Sequence, residues 1–565
     1  MRHRRSRSQG ADSLNRVLVI GGYGGFGARI ARLLAQDGFT VIVGGRDAAK
    51  AKAFCDAQDE GDFEPAAVDR YRLDRTAIRR LDPWAMIDAA GPWQGDSYHL
   101  PRACIDAHCH YVDIADARAF VTGIGALDPA ATDAGVTVIS GASTAPALTA
   151  AVCDELARTL DRVTKIESRL TAGNRATGSA SITGAVLSYA GKPIGLWRGG
   201  RWRTGFGWRH MERATFDRRG RPYRRLVGLC DVPDHDLLPA RYPGAPTTTF
   251  YAGTEIGLQN RAIQLAALMV RWRLIPDGRW MSAPARFAQR LMRGIGGRRS
   301  AMRIRVAGWR GNEAIILDWE VRAERGDGPW IPCLAVSPLL TKLRDGDLEP
   351  GARGAAGALS LDDYRQAMAP FAIDQTIERR RYVPLYARVM GAAFDRLPPS
   401  VRAMHAVLGE LVAQGEANVE RGPNPLGRLI AWLFRFPRAG DAVPLRVWMD
   451  EQDGVEIWRR DFGGREMRSE LSREGDLLVE RFGPLRFGFT LTAEPGGLSM
   501  QLKRWWCGRL RLPLVLAPNS PAREYDADGR FHLDVPISLP LIGLVVRYRG
   551  WLVPEPRRSP PAPSA

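Results

Sequence analysis

A chain of 565 residues is longer than a single hydrophobic core usually serves, so about three units are expected. Lys and Arg number 80 against 62 Asp and Glu, a net charge of +18 that is mostly arginine and spread along the chain. With no nucleic-acid module signature beside it, this excess predicts an anionic small ligand and no DNA or RNA partner. Seven cysteines stand without paired spacing, which predicts reduced thiols and a cytoplasmic protein. His108-Cys109-His110 lacks the spacing of ligand pairs, so no metal is expected. Residues 1–14 are basic, with no apolar stretch behind MRHRRSRS, and read as a disordered tail and not as a signal peptide. The longest apolar runs, Leu265–Val270 and Leu539–Val546, fall far short of the roughly 20 residues that span a bilayer, so membrane contact is at most peripheral.

Residues 15–160 alternate short apolar runs with helical stretches. Strands are predicted at Val17–Ile20, Val41–Val43, Ala66–Asp69, Ala85–Ala89, Tyr111–Ile114 and Val136–Ser140. Helices are predicted at Ala28–Gln36, Arg75–Leu81, Tyr98–Ala107 and Leu127–Ala134. This alternation is the signature of an α/β unit, a doubly wound parallel sheet of Rossmann type.

Its first turn reads VLVIGGYGGFG, which sets Gly22, Gly24 and Gly27 in G-x-G-x-x-G spacing between a buried strand and a helix. In such a turn Gly22 permits the bend, Gly24 lets the backbone approach a diphosphate, and Gly27 lets the helix pack on the strand. Gly22, Tyr23, Gly24, Gly25, Phe26 and Gly27 are therefore candidate dinucleotide-binding residues, with the amides of the helix N-terminus facing the phosphates. After the second strand comes Gly44-Gly45-Arg46-Asp47, and an arginine there favours the 2′-phosphate of NADP over NAD. Asp69 at the end of the third strand and Ala90-Gly91-Pro92 after the fourth complete the predicted cofactor crevice.

Residues 161–385 read as an α+β unit. Strands are predicted at Val163–Thr171, Met302–Trp309 and Glu313–Ala323, the last two joined by a turn at Gly311-Asn312. Helices fit Ser179–Tyr189 and Ala262–Ile275, and the Gly- and Ala-rich Asp345–Ala358 reads as a loop. Asn174, Arg175 and Thr177 lie in a polar loop that reads either as a carboxylate or phosphate contact or as a solvated segment.

Residues 389–554 read as mainly antiparallel β, with apolar residues at every second position in Leu445–Met449, Leu485–Leu491, Leu498–Leu502 and Phe531–Ile537. Glycine turns between such runs predict a sheet with one dry face. Helices are predicted at Val401–Gln414 and Leu426–Phe434; with Arg428 and Arg435 around Leu429–Phe434, the second either rests on a membrane surface or, the favoured reading, packs its apolar residues into the core. Trp505-Trp506 either line an apolar pocket or fill the sheet interior, and residues 555–565 read as a proline-rich disordered tail.

The stretches Gly22–Gly27, Gly45-Arg46, Ala89–Pro92, Ala103-Cys104, His110–Asp113 and Ser140–Ser143 resemble the saccharopine-dehydrogenase-like NADP-binding proteins, a likeness running over about residues 16–380. The resemblance implies a Rossmann domain, an α+β catalytic and dimerisation domain, a small-molecule substrate and a homodimer. Where the authentic saccharopine enzymes read Gly-Glu after Tyr111-Val112-Asp113, this chain reads Ile114-Ala115-Asp116. Residues from about 389 to 554 resemble a second family, a domain of unknown function, in Arg421–Pro425, Phe462–Gly464, Glu480–Pro484 and Tyr548–Trp551.

Hydride chemistry also needs a proton donor near the crevice. Three candidates stand there: Tyr98 and His99, which either react or face away on a helix, and Asp113, which either orients or protonates a substrate or caps the following loop. The reading is an NADPH-dependent oxidoreductase acting on a carbonyl, imine or polarised double bond. Two other readings stay open, an NADP-binding scaffold without catalysis and an apolar-ligand module fused to a reductase.

Overall fold

The computed structural model describes residues 15–555 apart from 176–179, 218–219, 282, 285–286, 288–291 and 293. Strands β1 (Arg16–Ile20), β2 (Thr40–Gly45), β3 (Asp62–Ala67), β4 (Ala85–Asp88), β5 (His110–Asp113) and β6 (Thr137–Ser140) form a parallel sheet in the order 6-5-4-1-2-3. Val17, Leu18 and Val19 are wholly buried because helices cover both faces, which is why these strands read as unbroken apolar runs. The third strand lies earlier than the expected Ala66–Asp69, since β2 pairs residue for residue with Asp62–Ala67.

Two elements depart further from expectation. The helix Ala48–Asp56 was not foreseen; it buries only Ala51, so no apolar stripe marks it, and it begins where the Asp47 carboxylate caps the Lys50 amide. The expected loop Asp345–Ala358 contains a seventh strand of the same sheet, Gly351–Gly354, parallel to β6. Glycine suits that position, because a Cβ on Gly351 would lie 2.4 Å from Asp128 Oδ1. Its pairing comes from the partner strand, which local composition cannot announce.

The second unit is built on a mixed seven-stranded sheet centred on Arg162–Ala172, which pairs with Thr247–Thr254 on one side and Ser300–Arg310 on the other. Ser300–Arg310 and Glu313–Ala323 form the expected hairpin, Arg310 opposite Glu313. The helices Ala180–Tyr189 and Gly257–Arg271 lie near their predicted places, while Thr177 lies outside the described residues.

The third unit closes on itself. Ten antiparallel strands, from Glu410–Arg421 to Gly543–Pro554, pair in sequence, and the last pairs with the first to complete a barrel. Alternation along a strand reports which side is dry and not whether the sheet closes, so the expected one-faced sheet is an up-and-down barrel. The predicted helix Val401–Gln414 is cut short: Pro399–His405 is helical, and Glu410–Gln414 is strand, paired with Gln414 opposite Arg446 and Val553.

The helix Pro425–Leu433 sits over one end of the barrel and does not pack as expected. Leu429 is 56% exposed, and Trp432 and Leu433 are each 67% exposed. The helix seats through its small residues Gly427 and Ala431, and turns Ile430 and Phe434 towards the barrel interior. The other end of the barrel meets the second unit through Lys165 with Asp450 at 3.2 Å and Arg305 with Asp453 at 2.8 Å. Among the described residues no helix is long and apolar enough to cross a membrane.

Candidate cofactor and active site

The turn after β1 is tighter than the spacing of its glycines shows. The left-handed residue is Gly21, with φ at +74°, and not Gly22, to which the bend was assigned. Gly21 and Gly22 amides both donate to the Gly44 carbonyl, at 2.8 and 3.1 Å, tying the turn to the end of β2. A Cβ on Gly22 would come within 2.9 Å of the Val19 carbonyl oxygen, and one on Gly27 within 2.1 Å of the Gly21 carbonyl oxygen. These two glycines are required by the chain's own packing.

Gly24 and Gly25 differ. Both are exposed; a Cβ on Gly24 would lie 3.0 Å from the Gly21 carbonyl oxygen, whereas one on Gly25 would meet nothing within 4 Å. They open onto the space before the N-terminus of the helix Gly27–Gln36. Backbone amides there face outward with the positive end of the helix dipole, the arrangement that receives a diphosphate. Tyr23 and Phe26 serve mainly as packing: the Tyr23 ring lies over Gly45, where a Cβ would be 2.4 Å from its Cε1, and its hydroxyl accepts the Asp47 amide at 3.1 Å. Arg29, which the sequence did not single out, donates to the Gly25 carbonyl and stands beside the cradle. Its place one turn into the helix was the available signal.

At the end of β2 the acid and the base divide their roles. Asp47 is committed to its helix: its carboxylate accepts the Lys50 amide at 3.1 Å and pairs with the Lys50 ammonium at 3.2 Å, and these hold its pKa below the usual range. Arg46 is exposed and joins no ion pair among the described residues. Asp69 accepts the Tyr71 amide at 3.1 Å in the turn after β3.

The loop Ala89–Pro92 is fixed from below by Asp88, which is wholly buried. Its carboxylate accepts the Ala90 amide at 3.1 Å, Arg70 Nε at 2.8 Å, Trp93 Nε1 at 3.1 Å and the Tyr111 hydroxyl at 3.3 Å. Gly91 lies against the Trp93 ring, where a Cβ would be 2.6 Å from Cζ3.

The three proposed donors separate sharply. The Tyr98 hydroxyl donates to the Phe120 carbonyl at 2.9 Å, and His99 Nε2 lies 2.9 Å from the Leu73 carbonyl, so both polar ends are tied to backbone. Asp113 has one oxygen that accepts the Ala115 and Gly141 amides and the Ser140 hydroxyl, at 2.9, 2.8 and 3.0 Å, which is the loop-capping arrangement. Its Oδ2 is buried without a hydrogen-bond partner, and burial pushes the carboxyl up to about 7.

Between about pH 4 and 7 the folded chain therefore keeps a proton on Asp113 that the unfolded chain has released, so stability falls with rising pH across that window and levels above it. Asp113→Asn removes this dependence. Its stability relative to the parent is expected to rise by up to roughly 4 kcal/mol between about pH 4 and 8, read from urea melts at both pH values. Parallel pH slopes for the two proteins would show that the carboxyl ionises normally.

Asp116 was passed over in the sequence except as a departure from the saccharopine enzymes. Its surface reaches solvent, but the protein crowded around the carboxyl desolvates it and raises its pKa, and it accepts Gln94 Nε2 at 3.2 Å from the loop after β4. It acts electrostatically on Tyr189 and Cys230 of the second unit, which hydrogen-bond each other. Asp116 thus stands where the two units face each other, three residues beyond the end of β5. Nearby, Arg118 holds Asp236 at 2.5 Å, Asp231 at 3.3 Å and the Gly195 carbonyl at 2.7 Å, which pins the loop after β5 to the second unit. Asn174 is tied to the Met292 and Ile295 carbonyls, at 2.7 and 2.8 Å, and the Arg175 guanidinium to the Gly294 carbonyl, so both serve a local loop.

Residues 17–139 match the family described as the saccharopine dehydrogenase NADP binding domain, and residues 397–552 match a domain of unknown function, DUF4166. No curated protein matches the chain. Solved structures match more remotely. A dehydrogenase from Clostridium difficile is 7% identical over 63% of this chain and 98% of that one, with a TM-score of 0.30. A dehydrogenase from Chromobacterium violaceum is 10% identical over 55% and 75%, with a TM-score of 0.26. A Lactobacillus casei protein is 19% identical over 17% of this chain and 47% of that one, with a TM-score of 0.15, so the chain spans about half of its length. The glycine turn and the 6-5-4-1-2-3 sheet lie within the first match and the closed barrel within the second: one chain joins a unit that matches the saccharopine dehydrogenase NADP binding domain to a unit that matches DUF4166.

Proposed function

We propose that the protein is an NADPH-dependent oxidoreductase that reduces a carbonyl, imine or polarised double bond in the crevice between its first two units. The observation that carries the reading is the contrast within one turn. Gly22 and Gly27 are closed in by backbone, whereas Gly25, exposed beside Gly24 just before a helix N-terminus, has no atom within 4 Å of where its Cβ would stand. That cradle fits a diphosphate, and Arg46, exposed at the end of β2 and in no ion pair among the described residues, fits the 2′-phosphate of NADP.

Bound NADPH supplies a hydride. The chain's own residues do the rest. The Asp88 network holds Ala90–Pro92 in place, and Arg118 ties the loop after β5 to the second unit. Asp116, its pKa raised, would be the acid that gives a proton to the substrate oxygen or nitrogen, and solvent would restore that proton.

Nucleotide choice tests the reading directly. Arg46→Ala is expected to weaken NADPH binding about tenfold to a hundredfold and to leave NADH binding unchanged, measured by nucleotide fluorescence titration. Parent protein that binds both nucleotides equally, or neither, would remove the assignment.

A further inference from the structure

The barrel encloses a cavity of about 300 Å³, and nothing in the crevice chemistry accounts for it. Eight strands make a barrel that side chains fill or that holds one small ligand; ten make a wider one. Its wall is apolar, with Leu471, Phe489, Met500, Leu533 and Val545 among the lining residues. An apolar space of this size matches the lower range of small-molecule sites, roughly 300–1,000 Å³.

The charges on the wall restrict what fits. Arg460 is the one cation among the described lining residues, and it is already spent on Glu480 at 3.0 Å and the Ser469 hydroxyl at 2.8 Å. Glu524 is held by His405 Nε2 at 2.7 Å, and the His405 ring is stacked on Tyr386 at 3.7 Å. An anionic head group would find no uncommitted cation, and a cationic one no uncommitted carboxylate. The helix Pro425–Leu433 caps the end away from the rest of the chain, with Ile430 and Phe434 turned to the cavity, and it seats on only two buried residues. This is the side on which a ligand passes.

We infer that the barrel is a binding site for a neutral, mainly hydrocarbon small molecule bearing at most a hydroxyl or carbonyl group. The inference does not depend on the oxidoreductase reading, because its test uses no nucleotide.

Retinol and retinoate share a hydrocarbon body and differ in head-group charge. Titrated into full-length protein and followed through quenching of tryptophan emission, with Trp458 and Trp505 on the cavity wall, retinol is expected to bind at least about tenfold more tightly than retinoate. Val447→Trp, which fills the cavity, is expected to weaken retinol binding at least about tenfold. Glu480→Gln leaves Arg460 uncompensated and is expected to narrow or reverse the preference for retinol. Absence of retinol binding, a preference of the parent protein for retinoate, or a preference unmoved by Glu480→Gln would each overturn the inference. The Glu480→Gln arm decides it even if Val447→Trp does not fold.

Discussion

Gly25→Val is expected to raise the dissociation constant for NADPH about a hundredfold or more while leaving the fold's stability within about 0.5 kcal/mol. The reason is that the two demands on this turn fall on different residues. A side chain at Gly27 would run into the Gly21 carbonyl, so a change there unfolds the turn and says nothing about ligand. A side chain at Gly25 meets no atom of the protein within 4 Å, and its backbone is not left-handed, so the chain accepts it. The only object it can obstruct is one that comes close to the main chain from outside. Thermal melts and nucleotide titration on the same sample separate the two effects. Unchanged affinity in a well-folded Gly25→Val protein would mean that the diphosphate does not lie in this cradle.

Asp116→Asn is expected to lower turnover about a hundredfold or more, the range assigned to loss of a positioned acid, with NADPH affinity unchanged. Its position explains the separation: the carboxyl accepts Gln94 Nε2 and acts electrostatically on Tyr189 of the second unit, three residues beyond β5, whereas the glycine turn follows β1. In the parent protein the acid's raised pKa means that turnover falls as pH rises through it, because the proton to be given is then already lost. That alkaline limb is expected to vanish in Asp116→Asn. A variant that keeps parental turnover and pH profile would pass the acid role to another group.

Much of this site could be read from sequence because it rests on local rules. The apolar run before Gly21, the glycine spacing and Arg46 after β2 are consecutive in the chain, and their physical roles follow from that order. What escaped depends on partners distant in sequence. Gly351–Gly354 is a strand only because β6 pairs with it. The ring of strands closes only because Glu410–Arg421 meets Gly543–Pro554 across more than a hundred residues. Leu429, Trp432 and Leu433 carry the pattern of a core helix, yet the surface beneath them is an opening and not a packed layer. Asp116 escaped because an acid three residues past a strand has no motif, and its standing comes from the second unit opposite.

The return of Gly351–Gly354 to the edge of the first sheet has a mechanical consequence. The backbone crosses between the two units after β6, again before Gly351, and again after Gly354. Three such tethers side by side resist swivelling of one lobe on the other and leave hinge bending as the cheap motion. Grasp and release of a reactant would then proceed by a jaw-like opening about one axis.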